Sequence, residues 1–318
     1  MIAFLFPGQG SQKVGMGKAL VEAFAEARET FDEADAAFGG PLSALCFEGP
    51  EDQLTLTEHT QPAILTASVA AARVLAAHDI LPDIVAGHSL GEYSAHVTAG
   101  TIAFGDAVRV VRRRGRYMQE AVPVGQGAMA AILGLDAPTV ARACEEAAQG
   151  EVVSPANVNG PGQVVIAGAV AAVQRAGERA KALGAKRVIL LPVSAPFHCA
   201  MMKPAQERLA PELRALAVQT PRIPIVANTD AQPRTDAGSA IEALVDQVSS
   251  PVLWESIVHR LASEGVTTYV EVGPGRVLSG LVRKINKDAN VFAFGGPDDL
   301  GAILASAKSK VQSAKSAK

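Results

Sequence analysis

Residues 2–6, 84–86, 188–193, 224–227 and 268–272 are short, largely apolar runs, and three of them lead straight into glycine-rich turns. Helical stretches lie between them. Residues 63–77 are alanine-rich with Leu and Val at helical spacing, as a buried helix requires, and residues 91–99 form another such segment. Alternation of this kind confines the chain to an α/β fold built on a mainly parallel sheet. With 318 residues, a prior of roughly 150 residues per domain gives about two domains. A hydrophobic share of 48% supplies a large core and argues against disorder over most of the chain.

One stretch has its own logic. Residues 128–133 read as a strand, 137–149 as a helix, 152–157 and 163–167 as two strands, 170–183 as a helix and 186–191 as a strand. Asn159-Gly160-Pro161-Gly162 supplies a strong turn between the middle strands. The order βαββαβ is the ferredoxin-like plan. The expected architecture is therefore a large α/β-hydrolase-like domain made from residues 1–125 and 194–318, with a ferredoxin-like subdomain at 126–193. The cleft between them is the natural ligand site.

The sharpest chemical signal is Gly87-His88-Ser89-Leu90-Gly91, between a short apolar strand and a helix. That is the setting of a G-x-S-x-G nucleophile elbow, in which a tight turn thrusts the serine outward and flanking glycines remove clashing Cβ atoms. The Leu90 amide then points toward a developing oxyanion at the positive end of the helix. The bland reading is a glycine-rich turn with a capping serine. A serine needs a base, and there are six histidines. His88 adjoins Ser89 but should point away from it. His59, His78 and His259 fall in polar stretches, and His96 should pack on the elbow helix. His198, in Ser194-Ala195-Pro196-Phe197-His198 just past a strand, is the best placed, although position alone leaves capping or packing open. Cys199 is an alternative nucleophile, but neighbours in sequence usually point apart.

The stretch 106–117 holds five arginines. At about 100° per residue, Arg109, Arg112, Arg113 and Arg116 form one stripe that water can cover. Arg114 shares the other face with Ala107, Val110, Val111 and Met118. An arginine there needs an anion, because an unpaired buried charge is costly. The anion is either a structural Asp or Glu, or a substrate carboxylate gripped by the guanidinium fork. The loop Gly8-Gln9-Gly10-Ser11-Gln12 fails as a nucleotide motif, since the third glycine of G-x-G-x-x-G would fall at Lys13. A backbone N–H from Gln9 toward an oxyanion is a better use of it. No H-x-x-H or H-E-x-x-H pair exists, so no metal site is expected.

Several classes drop out. With 29 Lys+Arg against 32 Asp+Glu the net charge is -3, too balanced for a protein that wraps nucleic acid. Three scattered cysteines argue against a disulfide framework and suit a reducing cytosol. The first residues lack a basic segment ahead of the apolar run, so they read as a strand and not a leader. No apolar stretch reaches the roughly 18 residues of a membrane span. A cytoplasmic protein is expected, with a frayed Lys-rich tail over about 306–318.

Taken together, these residues resemble the malonyl-CoA:acyl carrier protein transacylase family over about residues 1–290. The matching pieces are F-P-G-Q-G-S-Q at 6–12, T-Q-P-A at 60–63, G-H-S-L-G-E at 87–92 and R-G-x-x-M-Q at 114–119. They continue with N-x-N-x-P-G-Q at 157–163, P-F-H at 196–198, S-S-P-V at 249–252 and E-V-G-P-G at 271–275. The resemblance implies a cofactor-free acyltransferase, expected as a monomer, whose partners are malonyl-CoA and acyl carrier protein. It implies Ser89 as nucleophile, His198 as base, Arg114 as carboxylate binder and Gln247 near the dyad. Amides of Gln9 and Leu90 would form the oxyanion hole, and Gln61, Asn157 and Asn159 would line the cleft. No acid lies near His198 in sequence, so a neutral acceptor should orient its ring. Two other classes stay open: a serine esterase or thioesterase on the same elbow, and a non-catalytic docking subunit of a synthase.

Overall fold

In the computed structural model, residues 1–193 and 195–306 are described. The tail expected over 306–318 lies outside them beyond Ser306, as does Ser194. The larger sheet has the order β10-β9-β1-β2-β7-β8. Its strands are β1 (Ile2–Phe6), β2 (Ile84–Gly87), β7 (Ile225–Val226), β8 (Pro233–Arg234), β9 (Thr268–Val272) and β10 (Asn290–Phe294). All pairings are parallel except that of β8, which closes one edge antiparallel to β7.

Period-two geometry explains why this sheet is covered on both faces. Along β1, Phe4 and Phe6 enter one core with Phe31, Ile64, Leu65 and Val111, while Ala3 and Leu5 enter a second with Trp254, Ile257 and Leu281. Burying each large apolar side chain contributes about 1.5–3 kcal/mol, so the central strand is fixed from both sides. The first face is covered by α1 (Lys18–Ala23), α2 (Ala25–Phe38), α3 (Leu42–Glu48), α4 (Glu51–Leu54), α5 (Thr57–Ala77), α6 (Gly91–Thr98) and α7 (Phe104–Glu120). α5 begins six residues before the expected 63–77 and carries Pro62 within it.

The smaller unit runs β3 (Gly127–Leu133), α8 (Ala137–Ala147), β4 (Val153–Gly160), β5 (Gln163–Ala169), α9 (Val170–Ala182) and β6 (Arg187–Leu190). Its antiparallel sheet has the order β4-β5-β3-β6 and its own core of Ile132, Val140, Val164, Ile166 and Val173. One detail departs from expectation. β4 continues through Asn159, so the turn is only Pro161-Gly162, with Gly162 at φ +67. Register shifts between Pro155 and Asn157 and between Val158 and Gly160 absorb the extra length. Asn157 also forms a parallel bridge to Val252 outside the unit, with Val158 N–H donating to Val252 O and Val252 N–H to Ala156 O, both at 2.9 Å. The chain then completes the first unit with α10 (Lys203–Arg214), α11 (Ala237–Gln247), α12 (Trp254–Ser263) and α13 (Val277–Ile285).

Candidate active site

The C-terminal ends of β1, β2 and β7 converge where β2 runs into α6, the position at which open parallel sheets bind ligands. Ser89 sits in the connecting turn at φ 52, a left-handed conformation that costs an L-residue roughly 1–2 kcal/mol. The flanking glycines make the turn possible. A Cβ on Gly87 would lie 1.9 Å from the Gly91 carbonyl carbon, and one on Gly91 would lie 2.0 Å from the Phe6 oxygen. No side chain fits at either place.

Ser89 Oγ lies 2.7 Å from His198 Nε2. The other ring nitrogen, Nδ1, lies 3.0 Å from Gln247 O and 3.2 Å from Ser250 O. Those carbonyls can only accept, so Nδ1 carries the proton and Nε2 offers its lone pair to the serine. The expected neutral acceptor is thus two backbone oxygens. Burial, and after it the Arg114 charge, pushes the His198 pKa down to about 3. Its ring is neutral at ordinary pH, as a general base must be.

Arg114 is 2% exposed on the apolar face of α7. Nη1 donates to Gln61 Oε1 at 2.7 Å, while Nη2 donates to Gln247 Oε1 at 2.8 Å and to Ser89 Oγ at 3.1 Å. Nε has no partner, and no carboxylate pairs with the guanidinium among the described residues. Burial lowers its pKa. The nearest buried acid, Glu92, is reached through Gln247, whose Nε2 donates to Glu92 Oε2 at 2.7 Å and to Ser89 O at 2.9 Å. Burial raises the Glu92 pKa to about 7, against the opposing bonds from Gln247 and Asn228. The four sister arginines behave as the helical argument expects. Arg109, Arg113 and Arg116 pair with Asp106, Glu212 and Glu120, while Arg112 stacks on Phe38.

A cavity of about 440 Å³ opens onto these atoms, lined among others by Gln9, Gln61, Asn157, Met118, Leu191 and Phe197. Leu90 precedes the first turn of α6, so its amide has no acceptor within the helix. The Gln9 side chain turns aside to Thr57 Oγ1 at 3.3 Å. Asn159 does not line this cavity. Its Oδ1 lies 2.9 Å from the Nε2 of His88, which does line it. Cys199 is buried, donates to Pro196 O at 3.1 Å and has its thiol pKa pushed up to about 11 by burial, which disfavours the thiolate. His96 is buried on α6, His259 is exposed, and His59 and His78 are half-buried with ring nitrogens on backbone carbonyls.

Two residues escaped sequence reasoning. Asn228, fully buried, bonds to both sides of the elbow, and Glu92 receives bonds from Gln247 and from the Asn228 amide. Asn228 follows a predicted strand at the sheet's C-terminal edge, and that position was the available signal.

A serine held against a neutral histidine, beside a buried cation and at the tip of a strand–turn–helix elbow, is an arrangement able to accept and pass on an acyl group. In keeping with that, residues 3–296 match the family described as acyl transferase domain. The malonyl CoA-acyl carrier protein transacylase of Escherichia coli O157:H7 is 52% identical over 303 residues, covering 95% of this chain and 98% of that one. The crystal structure of an acyl carrier protein S-malonyltransferase from Vibrio cholerae superposes with a TM-score of 0.93 at 49% identity, covering 95% of this chain and 99% of that one. A malonyl-transacylase solved in complex with a type II PKS acyl-carrier protein gives 0.92 at 48% identity, with 94% and 97% covered. The chain belongs to the malonyl CoA-acyl carrier protein transacylase family.

Proposed function

We propose that this chain transfers a malonyl group from malonyl-CoA to the phosphopantetheine thiol of acyl carrier protein, through an acyl group carried on Ser89. The observation that carries the reading is Arg114, a buried guanidinium without a carboxylate, 3.1 Å from the serine hydroxyl. It is placed to hold the free carboxylate of a substrate whose other end is a thioester.

His198 Nε2 takes the Ser89 proton as Oγ attacks the thioester carbon. The C–O bond forms, and the carbonyl oxygen gains charge facing the amides of Gln9 and Leu90. Collapse breaks the C–S bond, and His198 returns the proton to the sulfur of coenzyme A. The carrier thiol then attacks the acyl-serine, giving its proton to His198, which passes it to Ser89 Oγ as the ester breaks. Gln61 and Gln247 fix the guanidinium, and Asn157 closes the cavity wall. Asn159 acts at one remove, by holding His88.

The same reading assigns residues 126–193 to a ferredoxin-like subdomain inserted into an α/β-hydrolase-like domain. Its separate core and the order β4-β5-β3-β6 support this. Among the described residues no cluster of metal-binding side chains occurs, and no helix is long and apolar enough to cross a membrane. A cytoplasmic, monomeric enzyme free of cofactors is proposed.

The test is the mass of the protein after mixing with malonyl-CoA. One alkali-labile malonyl group on Ser89, absent from Ser89→Ala, is expected. Label on Cys199, or a full burst of coenzyme A from Ser89→Ala, would refute it.

A further inference from the structure

We infer that Asn228 is a positioning residue for the nucleophile, clamping the elbow in the one backbone conformation that presents Ser89 Oγ to His198. The inference rests on the reading of Ser89 as nucleophile given above. Asn228 lies two residues past β7, and the pairing of β7 with β2 at Val85↔Ile225 and Ala86↔Val226 carries it beside the turn. Its Nδ2 donates to Gly87 O at 2.7 Å, and its Oδ1 accepts from Ser89 N–H at 2.7 Å. The amide therefore spans the elbow, one bond before His88 and one after it. Its orientation is fixed, because the flipped amide would set donor against donor at Ser89 and acceptor against acceptor at Gly87.

Asn228 is itself pinned. It is 0% exposed, its backbone N–H donates to Glu92 Oε2 at 3.2 Å, and its carbonyl accepts from Leu253 N–H at 2.9 Å. The same Glu92 oxygen accepts from Gln247 Nε2, and Gln247 in turn holds Arg114 through Oε1 and His198 through its carbonyl. One polar network thus fixes serine, histidine and arginine relative to each other. The Ser89 backbone is left-handed at φ 52. A strained turn of this kind persists only where its surroundings over-determine it. Without the clamp, the Ser89 amide and Gly87 carbonyl lose their partners in a buried site, and the turn is free to relax.

Asn228→Ala and Asn228→Asp test this by rapid-quench measurement of Ser89 acylation, each normalised to the wild type. Misplacing a reacting group by about 1 Å can cost on the order of 100-fold in rate. Asn228→Ala should therefore acylate roughly 10- to 100-fold more slowly, with the KM for malonyl-CoA within about threefold. Asn228→Asp separates positioning from packing. An ionised aspartate can accept from Ser89 N–H but faces Gly87 O with a second acceptor, whereas the protonated acid donates to one and accepts from the other, as asparagine does. Burial and the neighbouring Glu92 both favour the protonated form, while Arg114 and Arg234 oppose it. A carboxylate at position 228 would couple to Glu92, which titrates inside the same window, so the ratio is also taken in a Glu92→Gln background, where that titration is absent. The relative acylation rate of Asn228→Asp should thus rise at least about tenfold from pH 8 to pH 5.5. A ratio flat in pH, or Asn228→Ala acylating at the wild-type rate, overturns the inference. If Asn228→Ala fails to fold, Asn228→Asp decides alone. Wild-type protein that takes no acyl group on Ser89 would instead remove the underlying reading, so the two failures are distinct.

Discussion

Replacing Arg114 by alanine separates a substrate-binding cation from a structural one. The guanidinium spends three hydrogen bonds on Gln61, Gln247 and Ser89, all neutral groups, and Nε is unpartnered. A charge desolvated to 2% exposure without an anion is held at a cost to the fold. An incoming carboxylate would remove that cost, so truncation should be expensive in the reaction and inexpensive in stability. Breaking a desolvated charge pair costs about 2–5 kcal/mol, which is roughly 30- to 5,000-fold in kcat/KM. Arg114→Ala should depress malonyl transfer by that order, without lowering Tm. Acetyl-CoA presents no carboxylate, so its transfer should fall far less, and the malonyl/acetyl ratio should collapse. Arg114→Lys should recover little, since an ammonium cannot supply the planar fork. The assay is the ratio of specificity constants in wild type and both variants, with Tm alongside. If malonyl and acetyl transfer fall together while Tm drops by several degrees, Arg114 is structural and the reasoning fails.

Other expectations follow from single features. His198 and His96 both have pKa values pushed down to about 3 by burial, against about 6.5 in an unfolded chain. The unfolded state therefore binds these protons first. Their contribution is whole above about pH 6.5 and drains away as pH falls toward 3, visible as a falling urea midpoint that His96→Asn should partly flatten. In acylation kinetics no inflection should appear at the ordinary histidine pKa. With burial raising the Glu92 pKa to about 7, a step there should vanish in Glu92→Gln, and one that survives the substitution would return the titration to the histidine. Phe197 lines the cavity directly before His198, so Phe197→Ser should narrow the preference for malonyl over methylmalonyl, and an unchanged ratio would place the limiting wall elsewhere. Three exposed stripe arginines are already paired with acids, so raising salt should slow transfer to carrier protein no more than transfer to a small neutral thiol. A steep salt dependence confined to carrier protein would show that the stripe, despite its pairing, steers docking.

The parts of this site that a sequence discloses are those where a side chain's identity restricts the backbone or the solvent. Ser89 was legible because only glycine fits at 87 and 91. Arg114 was legible because helical spacing separates it from four neighbours that reach water. The acceptors for His198 were not, since a carbonyl belongs to every residue and Gln247 and Ser250 reach the ring only through the fold. Asn228 was hidden for a related reason, as its partners are the backbone of a turn 139 residues away. Within the fold, the strands β1, β2 and β9 stand out as apolar runs. The helices α1 to α4 do not, because their buried residues are few and spread over four segments. β6 is an edge strand with Ile189 and Leu190 exposed, so its apolar run overstated how deeply it is buried.

The bridge between Asn157 and Val252 has a mechanical consequence. It joins the smaller unit to the larger beside the cleft, through two backbone bonds of 2.9 Å. Val252 stands two residues beyond Ser250 and five beyond Gln247, the residues whose carbonyls hold the histidine ring. A swing of the smaller unit about this seam would stretch those bonds and tug the ring out of line with the serine. The backbone that bridges the two units and the carbonyls that bond the His198 ring thus lie on one short stretch of chain, 247–252.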